Sequence, residues 1–384
     1  MRQSTNRCFR RARLTMSLIL LTSWGIGEET GLGEEPRLNQ IQVIGTHNSY
    51  HIAPTPAAMK LIASASRDAA PKLDYTHRTL EEQFGRLGIR QIELDVFADP
   101  DGGLYAKPMA YRVVNSLENG AAGPDPDADG SLMKPGFKIL HVQDIDYATT
   151  VKTLHDGLQR IRKWSLDHPA HIPLFVLVEL KDEPIVGLTQ PVKFSPQLLD
   201  ELDAAIQGCF DKKHVITPDV VRKSRETLRE AVLEDGWPRL EECRGRVLFA
   251  LDNEGSIRDD YMAGHPSLAN RMMFVSGKSS EGPEAAFFKI NDPIRNHAEI
   301  QRLVKQGFLV RTRADADTQE ARKNETQRRE LAFSSGAQMI STDYPQLDLR
   351  FSDYVVRFAG DRAVRSNPIH FASPVDIEDI RSDK

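Results

Sequence analysis

Short apolar, β-rich runs recur along this chain with helical periods between them, and that alternation admits few folds. The runs cover residues 41–45, 91–97, 138–141, 174–180, 247–251, 272–275, 309–312 and 339–342, giving eight candidate strands. Helical periodicity falls over 80–87, 151–166, 196–206, 226–233, 298–305 and 318–334. Alternating β and α elements imply an α/β fold with a parallel sheet, and eight strands with both faces to cover suit a (β/α)8 barrel of the TIM type. The 384 residues exceed the roughly 250 that such barrels use, so insertions are expected before the second, third and fifth strands. Residues 120–135, crowded with Gly, Pro and Asp, read as a loop, whereas 183–244 read as helical and packed beside the barrel. The expected organisation is one barrel domain over 38–358 and a polar tail over 359–384.

Charge narrows the partners. A formal net charge of −5 lacks the basic excess that a nucleic-acid-binding domain needs, so nucleic acid is not expected as a partner. The N-terminus concentrates Arg2, Arg7, Arg10, Arg11 and Arg13 ahead of an apolar run, 14–26, that is too short to span a bilayer as a helix. Residues 1–27 therefore read as a secretory signal peptide cleaved after Gly27, with an uncleaved membrane anchor as the alternative. Removing five Arg and no acid takes the net charge from −5 to −10. The domain is expected outside the cytoplasm, secreted or periplasmic. Cys8 falls in the discarded segment; Cys209 and Cys243 could pair in an oxidising compartment but cannot make a disulfide scaffold, and no zinc-type spacing exists.

Barrel chemistry gathers where strands end, and polar residues cluster there. The first strand runs into Gly45-Thr46-His47-Asn48-Ser49-Tyr50; others carry Glu93-Leu94-Asp95, His141, and Glu179-Leu180-Lys181. Strand residues two apart share a face, so Glu93 and Asp95 point together, as do Glu179 and Lys181. Several acids facing a barrel interior would cost several kcal/mol each without compensation. Pairing with Lys or Arg is one compensation; a divalent cation is the simplest. The all-oxygen set Asn48, Glu93, Asp95 and Glu179 favours calcium or magnesium over zinc, and its flexible ligation leans to calcium. His47 and His141, at strand ends beside this set, can exchange protons near neutral pH as acid–base catalysis requires. Lys181, Lys289, Arg311 and Arg313 are candidate phosphate contacts, Lys181 and Arg311 foremost.

In order along the chain, Thr46-His47-Asn48-Ser49, Glu93-x-Asp95, His141 and Glu179 resemble the catalytic barrel of the phosphoinositide-specific phospholipase C family, and its calcium-dependent bacterial branch above all. Further marks of the resemblance are the runs 137–144, 287–293, 310–315 and 341–345, so it spans about residues 40–350. It implies that His47 and His141 are catalytic, that Asn48, Glu93, Asp95 and Glu179 hold Ca2+, and that the nucleophile is the substrate inositol's own 2-hydroxyl. Phosphatidylinositol-type phosphodiesters would then be cleaved to diacylglycerol and inositol phosphate, cyclic or not, during transient contact with a membrane surface. Glu93 is the alternative base. The absence of Gly-x-Ser-x-Gly agrees with a substrate-borne nucleophile. The chain departs from the eukaryotic members at Val96-Phe97-Ala98-Asp99 and at Val142, and the sequence shows no PH-like, C2-like or EF-hand module beside the barrel.

Two other enzyme and non-enzyme readings compete: a glycerophosphodiester phosphodiesterase, whose first strand typically ends His-Arg-Gly, and an extracellular binding protein that has lost turnover. The run Asp125-Pro126-Asp127-Ala128-Asp129-Gly130 begins like an EF-hand loop, but its twelfth position is Gly136 and no helical pattern flanks it, so a solvated acidic loop is expected.

Overall fold

In the computed structural model, which describes residues 35–118 and 120–379, ten strands form one sheet. They are β1 (Ile41–Thr46), β2 (Gln91–Asp99), β3 (Gly136–Ile139), β4 (Leu174–Leu180), β5 (Val247–Leu251), β6 (Met273–Val275), β7 (Phe287–Lys289), β8 (Leu309–Arg313), β9 (Met339–Thr342) and β10 (Val364–Ser366). Parallel pairing runs in the order β6-β5-β4-β2-β1-β9-β8-β7, and a parallel bridge between Ser276 and Phe287 joins its ends. Eight strands thus close the expected barrel. The signal-peptide expectation falls on residues outside the described ones; among those described, no helix is long and apolar enough to cross a membrane.

One expected barrel strand is not one. Residues 138–141 belong to or follow β3, which pairs antiparallel with the far half of β2, Val96 to Asp99. Val96 also pairs with Leu180 on β4, so β3 lies on the other edge of β2, the edge that β1 leaves free when it ends at Thr46. The vacated place in the barrel goes to β7, three residues long and too short for periodicity to register.

Helices cover the outside. Leu154–Asp167 starts where the Thr153 hydroxyl accepts from Asp156 N, and buries Leu154, Leu158, Ile161 and Trp164 at helical spacing. Its Gly157 lies against Leu94, which places the Ile92, Leu94 and Val96 face of β2 outward and the Glu93 and Asp95 face inward. The 183–244 insertion is largely helical as expected, with Pro196–Cys209 burying Leu199, Leu202 and Ile206. The expected helix over 318–334 is two helices, Gln319–Lys323 and Gln327–Ser334, parted by Asn324 in the left-handed region. Pro56–Ala65, Met109–Leu117 and Gly255–Met262 are helices not anticipated from periodicity. Cys209 and Cys243 are buried free thiols.

The segment after Phe358, expected as a loose polar tail, instead joins the fold. Its β10 pairs antiparallel with Ile41–Val43 at the start of β1. Further on, the Asp379 carboxylate meets the buried Arg90 at 2.7 Å and accepts from Ile172 N at 3.2 Å, both residues standing just before barrel strands.

Of the described glycines, Gly45 leaves the least room for a side chain. A Cβ there would stand 1.8 Å from Gln91 Oε1, the atom that accepts from Ser341 Oγ at 2.5 Å, while Gln91 Nε2 donates to Thr46 O at 3.3 Å. Gly45→Ala must evict this amide and is expected to cost about 2 kcal/mol, read as a lower urea midpoint at unchanged slope. An unmoved midpoint would contradict this packing.

Candidate active site

Strand register collects the charged residues at one end of the barrel. Asp95 is level with Glu179 across β2 and β4, Lys289 with Arg311 across β7 and β8, and Arg313 with Ser341 across β8 and β9. Two-residue alternation then turns Glu93, Asp95, Glu179, Lys181, Arg311 and Arg313 to the interior. Oxygens of Glu93, Asp95 and Glu179 lie within 4.8 Å of one another.

The turn after β1 is tied down by the residues on either side of its functional pair. Thr46 Oγ1 donates to Gln83 Oε1 at 2.7 Å, and Gln83 Nε2 donates to Ser49 O at 2.6 Å. Ser49 N donates to Glu93 O at 2.9 Å, while Ser49 Oγ accepts from Glu93 N at 2.8 Å. Thr46 and Ser49 are therefore structural, and between them Asn48 sits at φ 45°, a left-handed conformation that Asn tolerates. Asn48 Nδ2 donates to the Tyr75 hydroxyl at 3.0 Å, which leaves Oδ1 buried without a hydrogen-bond partner.

The donor chemistry of these four residues suits a calcium ion, and the three acids have the spacing for one. Calcium takes oxygens at about 2.3–2.6 Å, so ligands on opposite sides of it stand about 5 Å apart, the span of this cluster. The carboxylates need a cation. Burial pushes Glu93 up to about 8 although Arg311 reaches its Oε2 at 2.5 Å, and pushes Asp95 up to about 7 although Lys181 lies 3.1 Å away. Burial acts on Glu179 in the same sense, but Lys181 at 3.0 Å together with the Lys289 charge outweighs it and holds that carboxyl below its ordinary value. The orphaned Asn48 Oδ1 supplies a neutral oxygen of the kind calcium accepts.

Each expected catalytic histidine has a carboxylate behind it. His47 Nδ1 meets Asp343 Oδ1 at 2.9 Å, which assigns the hydrogen to Nδ1 and leaves Nε2 as an acceptor, 3.2 Å from an Arg313 nitrogen and 3.7 Å from Glu93 Oε1. Burial, and then the Arg313 charge, lowers His47 to about 3, so the ring is neutral near pH 7. His141 Nδ1 meets Asp146 Oδ2 at 2.7 Å. Burial would raise Asp146, but His51 and His141 hold it down to about 2. His51 presents Nε2 to the same carboxylate at 2.9 Å and Nδ1 to Tyr75 O at 3.0 Å; both partners are acceptors, so a doubly protonated ring satisfies both contacts. His77 Nε2 donates to the His47 carbonyl at 2.8 Å.

Asp146, Asp343, His51 and His77 were not assigned from sequence. Asp343 lies in the run 341–345, and Asp146 follows His141 by five residues with no periodicity to mark it. Of the expected phosphate contacts, Arg311 is spent on Glu93, Ser341 and Asn291, and Lys181 on Asp95 and Glu179. In the acidic loop, Asp125, Asp127 and Asp129 each accept from a nearby backbone N–H, and Lys152 also meets Asp129 at 3.0 Å.

Among solved structures, a calcium-dependent phosphoinositol-specific phospholipase C from Pseudomonas sp. matches at 15% identity and a TM-score of 0.50, over 86% of this chain and 96% of its own. A Ca2+-dependent phosphatidylinositol-specific phospholipase C from Streptomyces antibioticus matches at 15% identity and 0.48, over 80% and 95%. The first likeness shows a shared barrel fold. No curated protein matches the sequence. A family model described as phosphoinositide phospholipase C, Ca2+-dependent, matches residues 36–368. The match favours that family over the glycerophosphodiester phosphodiesterases, and the chain belongs to the Ca2+-dependent phosphoinositide phospholipase C family.

Proposed function

We propose that this family's phosphodiester cleavage is carried out here by His47 and His141 on either side of a calcium held by Asn48, Glu93, Asp95 and Glu179, freeing diacylglycerol from a phosphatidylinositol-type lipid. The observation that carries this reading is a cluster of three acids, two of them buried, together with a buried Asn48 oxygen that lacks a partner and two carboxylate-backed imidazoles. Calcium, when bound, neutralises charge on the phosphoryl oxygens and lowers the pKa of the attacking hydroxyl.

The chain's own residues handle the protons. His47, neutral and fixed by Asp343, offers Nε2 to the inositol 2-hydroxyl as it attacks. Glu93, whose Oε2 is held by Arg311 while its Oε1 faces His47 at 3.7 Å, is the alternative base. His141, turned by Asp146, presents Nε2 to the departing glycerol oxygen and protonates it. Proton uptake on one side and release on the other lets the inositol phosphate leave as a cyclic ester. The five N-terminal arginines ahead of an apolar run support export, and so action on a membrane surface from outside the cytoplasm.

Release of water-soluble phosphate esters from phosphatidylinositol vesicles tests the mechanism. It is expected to require calcium, to stop with excess chelator, and to fall by about 10²–10⁴ in His47→Ala and in His141→Ala. Asp343→Asn and Asp146→Asn are expected to lose activity in the same direction without loss of calcium binding. Turnover that survives either histidine change would remove that residue from the mechanism.

A second expectation concerns pH. Glu93 and Asp95 titrate above their ordinary values in the metal-free fold, so the stability they contribute is full below about pH 4 and is lost as pH rises through about 7–8. Calcium meets the ionised carboxylates, so the rise in melting temperature on adding calcium should be larger at about pH 8.5 than at about pH 6. An equal rise at both would contradict the ligand assignment.

A further inference from the structure

We infer that Lys181 is a built-in counter-cation that competes with calcium for Asp95 and Glu179, so that the metal enters only as this ammonium leaves. The inference rests on the calcium reading above. Lys181 follows Glu179 by two positions and shares its inward face, and its Nζ stands 3.1 Å from Asp95 Oδ2 and 3.0 Å from Glu179 Oε2. Two of the three acids that fit the metal are thereby bridged by a single ammonium. The third, Glu93, is held by Arg311.

The two cations differ in what they can give up. Arg311 is 1% exposed and anchored at three points, to Glu93, Ser341 and Asn291. Its planar fork has no room to withdraw. Lys181 is 26% exposed at the mouth, on a flexible four-carbon stem. An ammonium and a divalent ion on the same two oxygens repel each other strongly, because their like charges stand within contact distance in a desolvated site. Displacement carries the Lys181 charge towards the mouth, where the substrate's phosphate is held in the proposed reaction. Calcium binding then both completes the metal centre and releases a phosphate contact, which reconciles the observed ion pairs with the role expected for Lys181 from sequence.

Calorimetric titration with calcium alone, in the absence of lipid, tests this on the wild type, Lys181→Met and Lys289→Met. Lys289 is the comparison because its ammonium lies at the same mouth but on Asp252, at 2.9 Å. Lys181→Met should bind calcium about tenfold tighter than wild type, and Lys289→Met should change by less than about threefold. Tightening that is absent in Lys181→Met, or equal in both variants, would overturn the inference. If either variant fails to fold, reductive methylation of the wild type followed by mass spectrometry decides: Lys181 should react faster with calcium than without, and an unchanged or slower rate overturns it. A wild type that binds no calcium would instead sink the calcium reading itself, so the two failures are distinguishable.

Discussion

Three carboxylates facing one another inside a barrel cannot stay ionised unless positive charge meets them, and much of the site's architecture answers that demand. Glu93 is met by Arg311 from across the barrel, and Asp95 and Glu179 by Lys181 from their own side. These cations leave the cluster short of compensation, since burial still holds Glu93 and Asp95 well above ordinary carboxyl values. A divalent ion would remove that deficit, and the neutral Asn48 oxygen, buried without a hydrogen-bond partner, is a donor of the kind calcium takes. The constraint acts on the fold as well: parallel register is what makes Asp95 and Glu179 coincide.

The same positioning device is used twice around this centre. A carboxylate receives Nδ1–H of each histidine, Asp343 from beyond β9 and Asp146 from the loop after β3, so both rings turn Nε2 away from their anchors. The anchors differ in their surroundings. Asp343 also receives Arg313 at 3.2 Å, whose charge helps to keep His47 neutral, whereas Asp146 is shared with the buried His51. In the proposed reaction His47 takes the attacking side and His141 the leaving side. The antiparallel β3, paired with the end of β2 outside the barrel order, leads directly into His141.

Much of this is legible in the amino-acid sequence. Residue types at two-residue spacing implied that Glu93 and Asp95 share a face, and β2 alternates so that they do. Alternating β and α periods implied the barrel. What periodicity could not reveal was membership and direction: β3 has the composition of a barrel strand but pairs antiparallel, and β7 is a barrel strand too short to carry a pattern. The tail read as polar because its anchoring groups are polar, yet Asp379 is buried against Arg90, a long-range ion pair that local composition cannot signal. Within the site, the side chains proposed to act on the substrate were selected by chemistry and strand position. Those that orient them, Asp146, Asp343 and His77, depend on loop geometry, and the occupation of Lys181 by two acids depends on three-dimensional proximity across strands.

A crystal structure determined in calcium, with anomalous data to identify the ion, tests the central claim most directly. The account predicts one strong anomalous peak at the barrel mouth, about 2.3–2.6 Å from Asn48 Oδ1 and from oxygens of Glu93, Asp95 and Glu179. No peak there at saturating calcium, or a peak only at the Asp125–Asp129 loop, would contradict it.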